Sequence, residues 1–171
     1  MTLREAENGW GGVYSLLLTP FHDDLSVDYE AYGEYVRWQT EQGAHHLFAV
    51  CGSSEMAVLT KEERVRCASV AVRNSCGHKG VATANMAQTR EEQIDEIKRM
   101  EDAGVDGLVF VTKGYGSDDE IMVRYITELA AQTKLPILLY EYPGFPNNKI
   151  SAKAYGKLAS DGIIQGIKDT T

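Results

Sequence analysis

The 171-residue sequence has no C-x-x-C pair, no long apolar run and no excess of basic residues, and each absence removes a class of function. Its three cysteines, Cys51, Cys67 and Cys76, are odd in number and widely spaced, as expected of reduced thiols in a cytoplasmic protein. No apolar stretch approaches the ~20 residues needed to cross a bilayer. The longest near the start is Tyr14 to Leu18, and no signal-type segment precedes it. A membrane partner is therefore not expected. Lys and Arg number 17 against 25 Asp and Glu, a formal charge of -8, which argues against nucleic acid as a partner and leaves room for a local basic pocket that takes an anion. Metal is not expected: His45 and His46 are adjacent and would point to opposite sides of a strand, and His22 and His78 have no ligand at useful spacing. A Gly-rich dinucleotide loop is missing after the first apolar run, where Leu18-Thr19-Pro20-Phe21 stands instead, and Gly114-Tyr115-Gly116 lacks the third glycine. No histidine accompanies the serines in a way that suggests a Ser-His-Asp triad.

What is present is a 43% hydrophobic composition, enough for one ordinary core and against disorder. Short apolar runs alternate with longer amphipathic segments. Strands are expected at Val13–Leu18, Leu47–Val50, Lys79–Asn85, Leu108–Val111, Pro136–Tyr140 and Ile163–Lys168. Helices are expected between them: Asp28–Gln42 with Ser26 as cap and Gly43 as terminator, a second from Thr60 to about Cys76-Gly77 with a Thr60/Glu63 capping box, a third from Thr89 to Gly104, a fourth opened by Ser117-Asp-Asp-Glu and running to about Gln132, and a fifth from Ser151 to Gly162. Strand starts recur every ~25–35 residues, the length of one strand plus one crossover helix. Nearly pure aliphatic strands such as Leu108–Val111 imply burial on both faces. The architecture is parallel α/β, an open doubly wound sheet or a barrel.

In such folds the working residues lie at the carboxyl ends of strands. Those ends hold Thr19-Pro20, Cys51-Gly52-Ser53-Ser54-Glu55, Asn85, Thr112-Lys113-Gly114-Tyr115, Tyr140-Glu141-Tyr142-Pro143 and Lys168-Asp169. Lys168 shares a strand face with Ile164 and Gly166. Inside a barrel it would lose hydration and become a nucleophilic amine; at a strand end it would snorkel to solvent or pair with Asp169. Tyr140 is either a buried tyrosine with a backbone partner or a proton relay beside the lysine. Ser53 and Ser54 either bind a carboxylate or cap the next helix. Tyr115 and Lys113 read as loop residues on their own.

Together these residues resemble the dihydrodipicolinate synthase and N-acetylneuraminate lyase family over about Gly12 to Thr171. Leu18-Thr19-Pro20-Phe21 is similar to the family's opening T-P-F, Gly43 to Glu55 to its strand leading into G-T-T-G-E, and Leu59-Thr-x-Glu-Glu-Arg64 to the helix start that follows. Leu139-Tyr140-x-x-Pro143 is similar to L-Y-N-x-P, and Gly166-Ile-Lys168-Asp169 to the strand that carries the Schiff-base lysine. The resemblance implies a (β/α)8 TIM barrel, of which this chain supplies about six strands and five helices: residues 1–11 as a lead-in and 12–171 as a partial barrel. It implies a lyase, aldolase or dehydratase, that joins the Lys168 amine to pyruvate or another 2-keto acid without metal or organic cofactor. Tyr140 would shuttle protons, Ser53 and Ser54 with their amides would hold the keto-acid carboxylate, Thr19 would support the lysine pocket, and Tyr115 would align with a tyrosine that reaches a neighbouring subunit's site. A cytoplasmic homo-oligomer, often a tetramer, is implied.

The sequence departs from the family in places. A gapless alignment puts Gly52 and Ser53 at the two threonines, and a one-residue shift puts Ser53 and Ser54 there; both remain open. The arginine that true synthases carry after L-Y-N-x-P aligns with Phe145, and no arginine lies between Tyr125 and the end. That favours a sugar-derived or aromatic keto acid over synthase activity proper. Glu141 replaces the usual Asn. Two alternatives from other classes are a non-catalytic barrel fragment that needs its C-terminal part, with open sheet edges that reduce solubility, and a flavodoxin-like binding domain, which Thr19-Pro20-Phe21 does not equip with a phosphate loop.

Overall fold

The structure, a computed structural model, describes residues 9–113, 118–146 and 148–170. Six strands alternate with five helices: β1 (Tyr14–Leu16), α1 (Tyr29–Glu41), β2 (His46–Val50), α2 (Lys61–Arg73), β3 (Lys79–Thr83), α3 (Arg90–Asp102), β4 (Gly107–Val111), α4 (Asp119–Ala130), β5 (Ile137–Tyr140), α5 (Ala152–Ser160) and β6 (Gly166–Lys168). The chain divides into two compact units, Met1–Ala82 with Ala103–Val105, and Thr83–Asp102 with Asp106–Thr171. Among the described residues no helix is long and apolar enough to cross a membrane.

In the first unit β1 pairs in parallel with β2 and β2 with β3, with a register irregularity between Phe48 and Val50. All five residues of β2 are buried, the pattern of a strand covered on both faces. Leu17, Leu47 and Val50 from the strand segments are fully buried, as are Tyr32 and Val36 of α1 and Cys67 and Ala68 of α2. Tyr32 satisfies its buried hydroxyl by donating to the Ala49 carbonyl at 3.1 Å.

In the second unit β4 pairs in parallel with β5 and β5 with β6. Leu108, Phe110 and Leu139 are fully buried with Ile97, Met100, Met122 and Ile126 of the surrounding helices. Gly166 suits a tight spot: a Cβ there would lie 3.1 Å from Leu138 Cδ2, its register partner's side chain.

The helix starts follow local side-chain chemistry, with corrections to the sequence reading. Thr60 and Glu63 form the expected capping box. Ser151 caps α5 as expected, and it also donates to Asp119 at the start of α4. The cap of α1 is Asp28, which accepts from the Glu30 and Ala31 amides, and not Ser26, whose amide and hydroxyl are both taken by Asp24. Asp118 caps α4; Ser117, the expected opening residue, lies outside the described residues. The second helix stops at Arg73, short of Cys76-Gly77, because the chain turns left-handed there, with φ of 51° at Cys76 and 88° at Gly77. The terminal strands are shorter than expected, as is usual where pairing frays.

His46 opens β2 beneath the N-terminal segment. Its Nε2–H donates to the Gly11 carbonyl at 3.0 Å, which leaves Nδ1 buried and without a partner among the described residues. Trp10 and Tyr14 pack on the ring at centroid distances of 5.8 and 4.7 Å. Burial holds the imidazole pKa below its ordinary 6.5; the Gly11 bond opposes this, and the nearby Lys79, His45 and His78 add to the lowering. The folded state therefore prefers the neutral ring, and the unfolded chain takes up the proton first as pH falls. Denaturant midpoints measured from about pH 7 down to about pH 5 are expected to fall, and a His46→Asn variant is expected to lose part of that slope. An equal slope in both proteins would contradict the assignment. In the second unit, Phe110→Ala is expected to cost about 3–5 kcal/mol by the same measurement, whereas Val58→Ser, at a site 73% exposed, stays within about 0.5 kcal/mol.

Candidate active site

Chemistry-bearing side chains collect after the carboxyl ends of the strands in each unit, and each set is built by its own strand ladder.

In the second unit Tyr140, the last residue of β5, is the register partner of Lys168, the last residue of β6. Paired residues on neighbouring strands present their side chains on the same face. Lys168 accordingly lays its Nζ over the Tyr140 ring, 3.7 Å from the centroid. Tyr140 is buried, so the face that meets the Lys168 amine has little competition from water. The Tyr142 ring continues from Tyr140 at 5.5 Å, and Phe145 meets Tyr142 edge-on at 5.5 Å. Gly144 permits this bend, since a Cβ there would fall 2.5–2.9 Å from the Tyr142 ring atoms. Lys113, past the end of β4, holds its Nζ 5.8 Å from the Phe145 centroid and donates to the Ala87 carbonyl. A row of three aromatic rings thus runs between two amines.

Behind Lys113 lies a buried polar network that the sequence reading did not find. Asn85 bridges β4 by accepting from the Val111 amide at 2.8 Å and donating to the Val111 carbonyl at 3.0 Å. It also donates to Tyr125 Oη, which donates on to Gln93 Oε1. Gln93 donates to the Ala87 carbonyl, and Glu96 accepts from the Ala87 amide at 3.1 Å. Asn85, Gln93 and Glu96 have no exposure at all. Polar groups buried this deeply persist only with partners. The signal was available in the sequence as Gln93 and Glu96 among the core-facing positions of an amphipathic helix, but periodicity alone does not say what they bond.

In the first unit the loop after β2 separates its two serines. Ser54 is fully buried. Its hydroxyl donates to the Leu17 carbonyl at 2.5 Å and accepts from the Cys51 amide at 3.2 Å. The Ser54 carbonyl accepts from Thr19 Oγ1 at 2.8 Å. Thr19 and Ser54 therefore tie the end of β1 to this loop. Ser53 is exposed and Gly52 is half-buried, so Ser53 is the loop serine whose hydroxyl reaches solvent. Tyr115 lies outside the described residues. Among the described residues no group of His, Cys, Asp or Glu is arranged to hold a metal ion.

Residues 10–171 match the profile of the "Dihydrodipicolinate synthetase family". A 4-hydroxy-tetrahydrodipicolinate synthase of Gluconacetobacter diazotrophicus is 29% identical over 161 residues, 94% of this chain and 54% of that protein. A dihydrodipicolinate synthase from Acinetobacter baumannii, solved with pyruvate, superposes with a TM-score of 0.83 at 27% identity, over 94% of this chain and 55% of that one. An N-acetylneuraminate lyase from Fusobacterium nucleatum shares the fold, with a TM-score of 0.82 at 21% identity, over 94% and 56%. The chain thus spans about half the length of the proteins it matches.

The two loop serines give a direct test of this geometry. Ser54→Ala leaves a buried amide and a buried carbonyl short of a partner and is expected to lower stability by about 1–3 kcal/mol. Ser53→Ala is expected to leave the denaturant midpoint within error of the parent. Equal effects would contradict the division of labour described for the two hydroxyls.

Proposed function

The chain belongs to the dihydrodipicolinate synthetase family, and we propose that it carries the imine-forming apparatus of a Schiff-base lyase acting on pyruvate or another 2-keto acid. The observation that carries the reading is Lys168 seated on Tyr140 at the paired ends of β6 and β5. The uncharged Lys168 amine attacks the keto carbon, a C–N bond forms, and the carbonyl oxygen leaves as water. The protonated imine then draws electrons from the neighbouring bond, so that a carbon–carbon bond is made or broken, or a hydroxyl lost, through an enamine. Tyr140 is the proton relay in this scheme, in keeping with its place beside the amine. The row of Tyr142 and Phe145 offers an apolar, aromatic wall to the rest of the substrate, which suits a keto acid with an aromatic or sugar-derived body.

For the loop after β2, a part for Ser53 and its amide in holding a carboxylate rests on the family resemblance. Ser54 and Thr19 hold the shape of that loop. The role of Tyr115 in a neighbouring subunit rests on the family resemblance, as does a homo-oligomeric, cytoplasmic protein. Three free cysteines suit a reducing compartment.

A second reading is dihydrodipicolinate synthesis proper, favoured by the names of the relatives. Phe145 weighs against it, because it offers no charge to a second substrate carboxylate.

Incubation with pyruvate and borohydride, followed by mass spectrometry of the intact and digested protein, tests the reading. The hydride reduces the C=N bond and fixes the adduct. The expected result is one adduct, located on Lys168 and absent from Lys168→Ala. An unchanged mass in folded protein, or the same adduct in Lys168→Ala, would overturn it.

A further inference from the structure

We propose that Glu141 is a positioning residue for Lys168, holding the end of β6 through two hydrogen bonds and anchored to α5 by a third. The inference rests on the reading of Lys168 as the imine-forming amine. Glu141 directly follows Tyr140, so strand alternation turns its side chain away from the face that Tyr140 shares with Lys168. Its backbone amide donates to the Lys168 carbonyl at 3.2 Å. Its carbonyl accepts from Thr170 Oγ1 at 2.7 Å. Its carboxylate accepts from the Tyr155 hydroxyl on α5. One residue therefore holds β6 at the lysine and two residues beyond it, and anchors that grip to a helix.

Glu141 as a whole is only 6% exposed. A buried carboxylate is tolerated where a donor meets it, and Tyr155 is that donor. Burial pushes the Tyr155 phenol pKa up, and its bond to Glu141 together with the charges of Glu141 and Asp169 pushes it further. The phenol thus keeps its proton and donates across the neutral range. With the side chain fixed, the Glu141 backbone cannot drift, and the pair of bonds that reach β6 stay aligned. Attack on a keto carbon is sensitive to placement: a displacement of ~1 Å can cost about a hundredfold. Residues that hold a nucleophile's backbone enter the rate in that way, without touching substrate.

The test is single-turnover borohydride trapping with pyruvate as the probe, on the full-length protein, with melting curves recorded for every variant. Glu141→Ala removes the acceptor. Glu141→Gln keeps an oxygen facing Tyr155. Thr170→Val removes one bond at an exposed position. The expected result is a limiting trapping rate lowered roughly tenfold in Glu141→Ala, with the half-saturating pyruvate concentration unchanged and with Glu141→Gln restored to within about threefold of the parent. Thr170→Val should fall in between. Parent-like trapping by a folded Glu141→Ala would overturn the proposal, as would a Glu141→Gln variant as slow as Glu141→Ala. Should Glu141→Ala fail to fold, Thr170→Val decides, and an unchanged rate there counts against the proposal. No adduct in the parent protein would overturn the imine reading and this one with it; an adduct in the parent with no effect in the variants overturns this one alone.

Discussion

The register between β5 and β6 is the constraint on which the candidate chemistry depends. Leu138 pairs with Gly166, Leu139 with Ile167 and Tyr140 with Lys168. A slip of one residue would exchange the two faces of β6, sending Lys168 to the helix side and Ile167 onto Tyr140. A fit of sizes suits this register. Gly166 has no side chain, and a Cβ there would come within 3.1 Å of Leu138 Cδ2, closer than an ordinary contact. Leu139 is wholly buried, while Ile167 remains 43% exposed at the outer edge of the ladder.

A second constraint acts where β3 passes into α3. The chain there carries polar groups into a region with no water to receive them. Asn85 solves the problem with a side-chain amide that bonds both backbone groups of Val111. Gln93 and Glu96 close the two polar groups of Ala87 from the helix side. Removing any one partner would strand another at full desolvation cost. The network fixes the turn beside Lys113, and so the position of the second amine in the aromatic row.

The order of elements was legible in the sequence because parallel α/β units announce themselves: aliphatic runs, capped amphipathic segments, and a regular interval between them. Lys168 and Tyr140 were legible as strand-end residues, and the resemblance of Gly166-Ile-Lys168-Asp169 and Leu139-Tyr140-x-x-Pro143 to known motifs supplied their pairing. The precise caps were less legible. Asp24 and Asp28 flank the same stretch, and Ser26 is captured by Asp24, a choice that depends on backbone geometry rather than propensity. Least legible was Glu141. In sequence it is only an acid at the third position of a stretch that resembles L-Y-N-x-P; the fold shows that its backbone reaches β6 and its side chain reaches α5.

The two serines of the β2 loop show why a motif can be matched and still leave its residues unassigned. By alignment, either pair, Gly52 with Ser53 or Ser53 with Ser54, can stand for the two hydroxyls of the family loop. Burial decides what each can do. The loop must turn through a left-handed residue, and Glu55, with φ of 60°, takes that conformation although glycine would adopt it at less cost. The turn draws the Cys51 amide and the Leu17 carbonyl inward, where they need a group that both accepts and donates. A serine hydroxyl does both, and Ser54 lies where it reaches them. Once Ser54 is used in this way it has no donor left to offer a ligand. A carboxylate arriving from solvent would meet Ser53, whose exposure is the counterpart of its neighbour's burial.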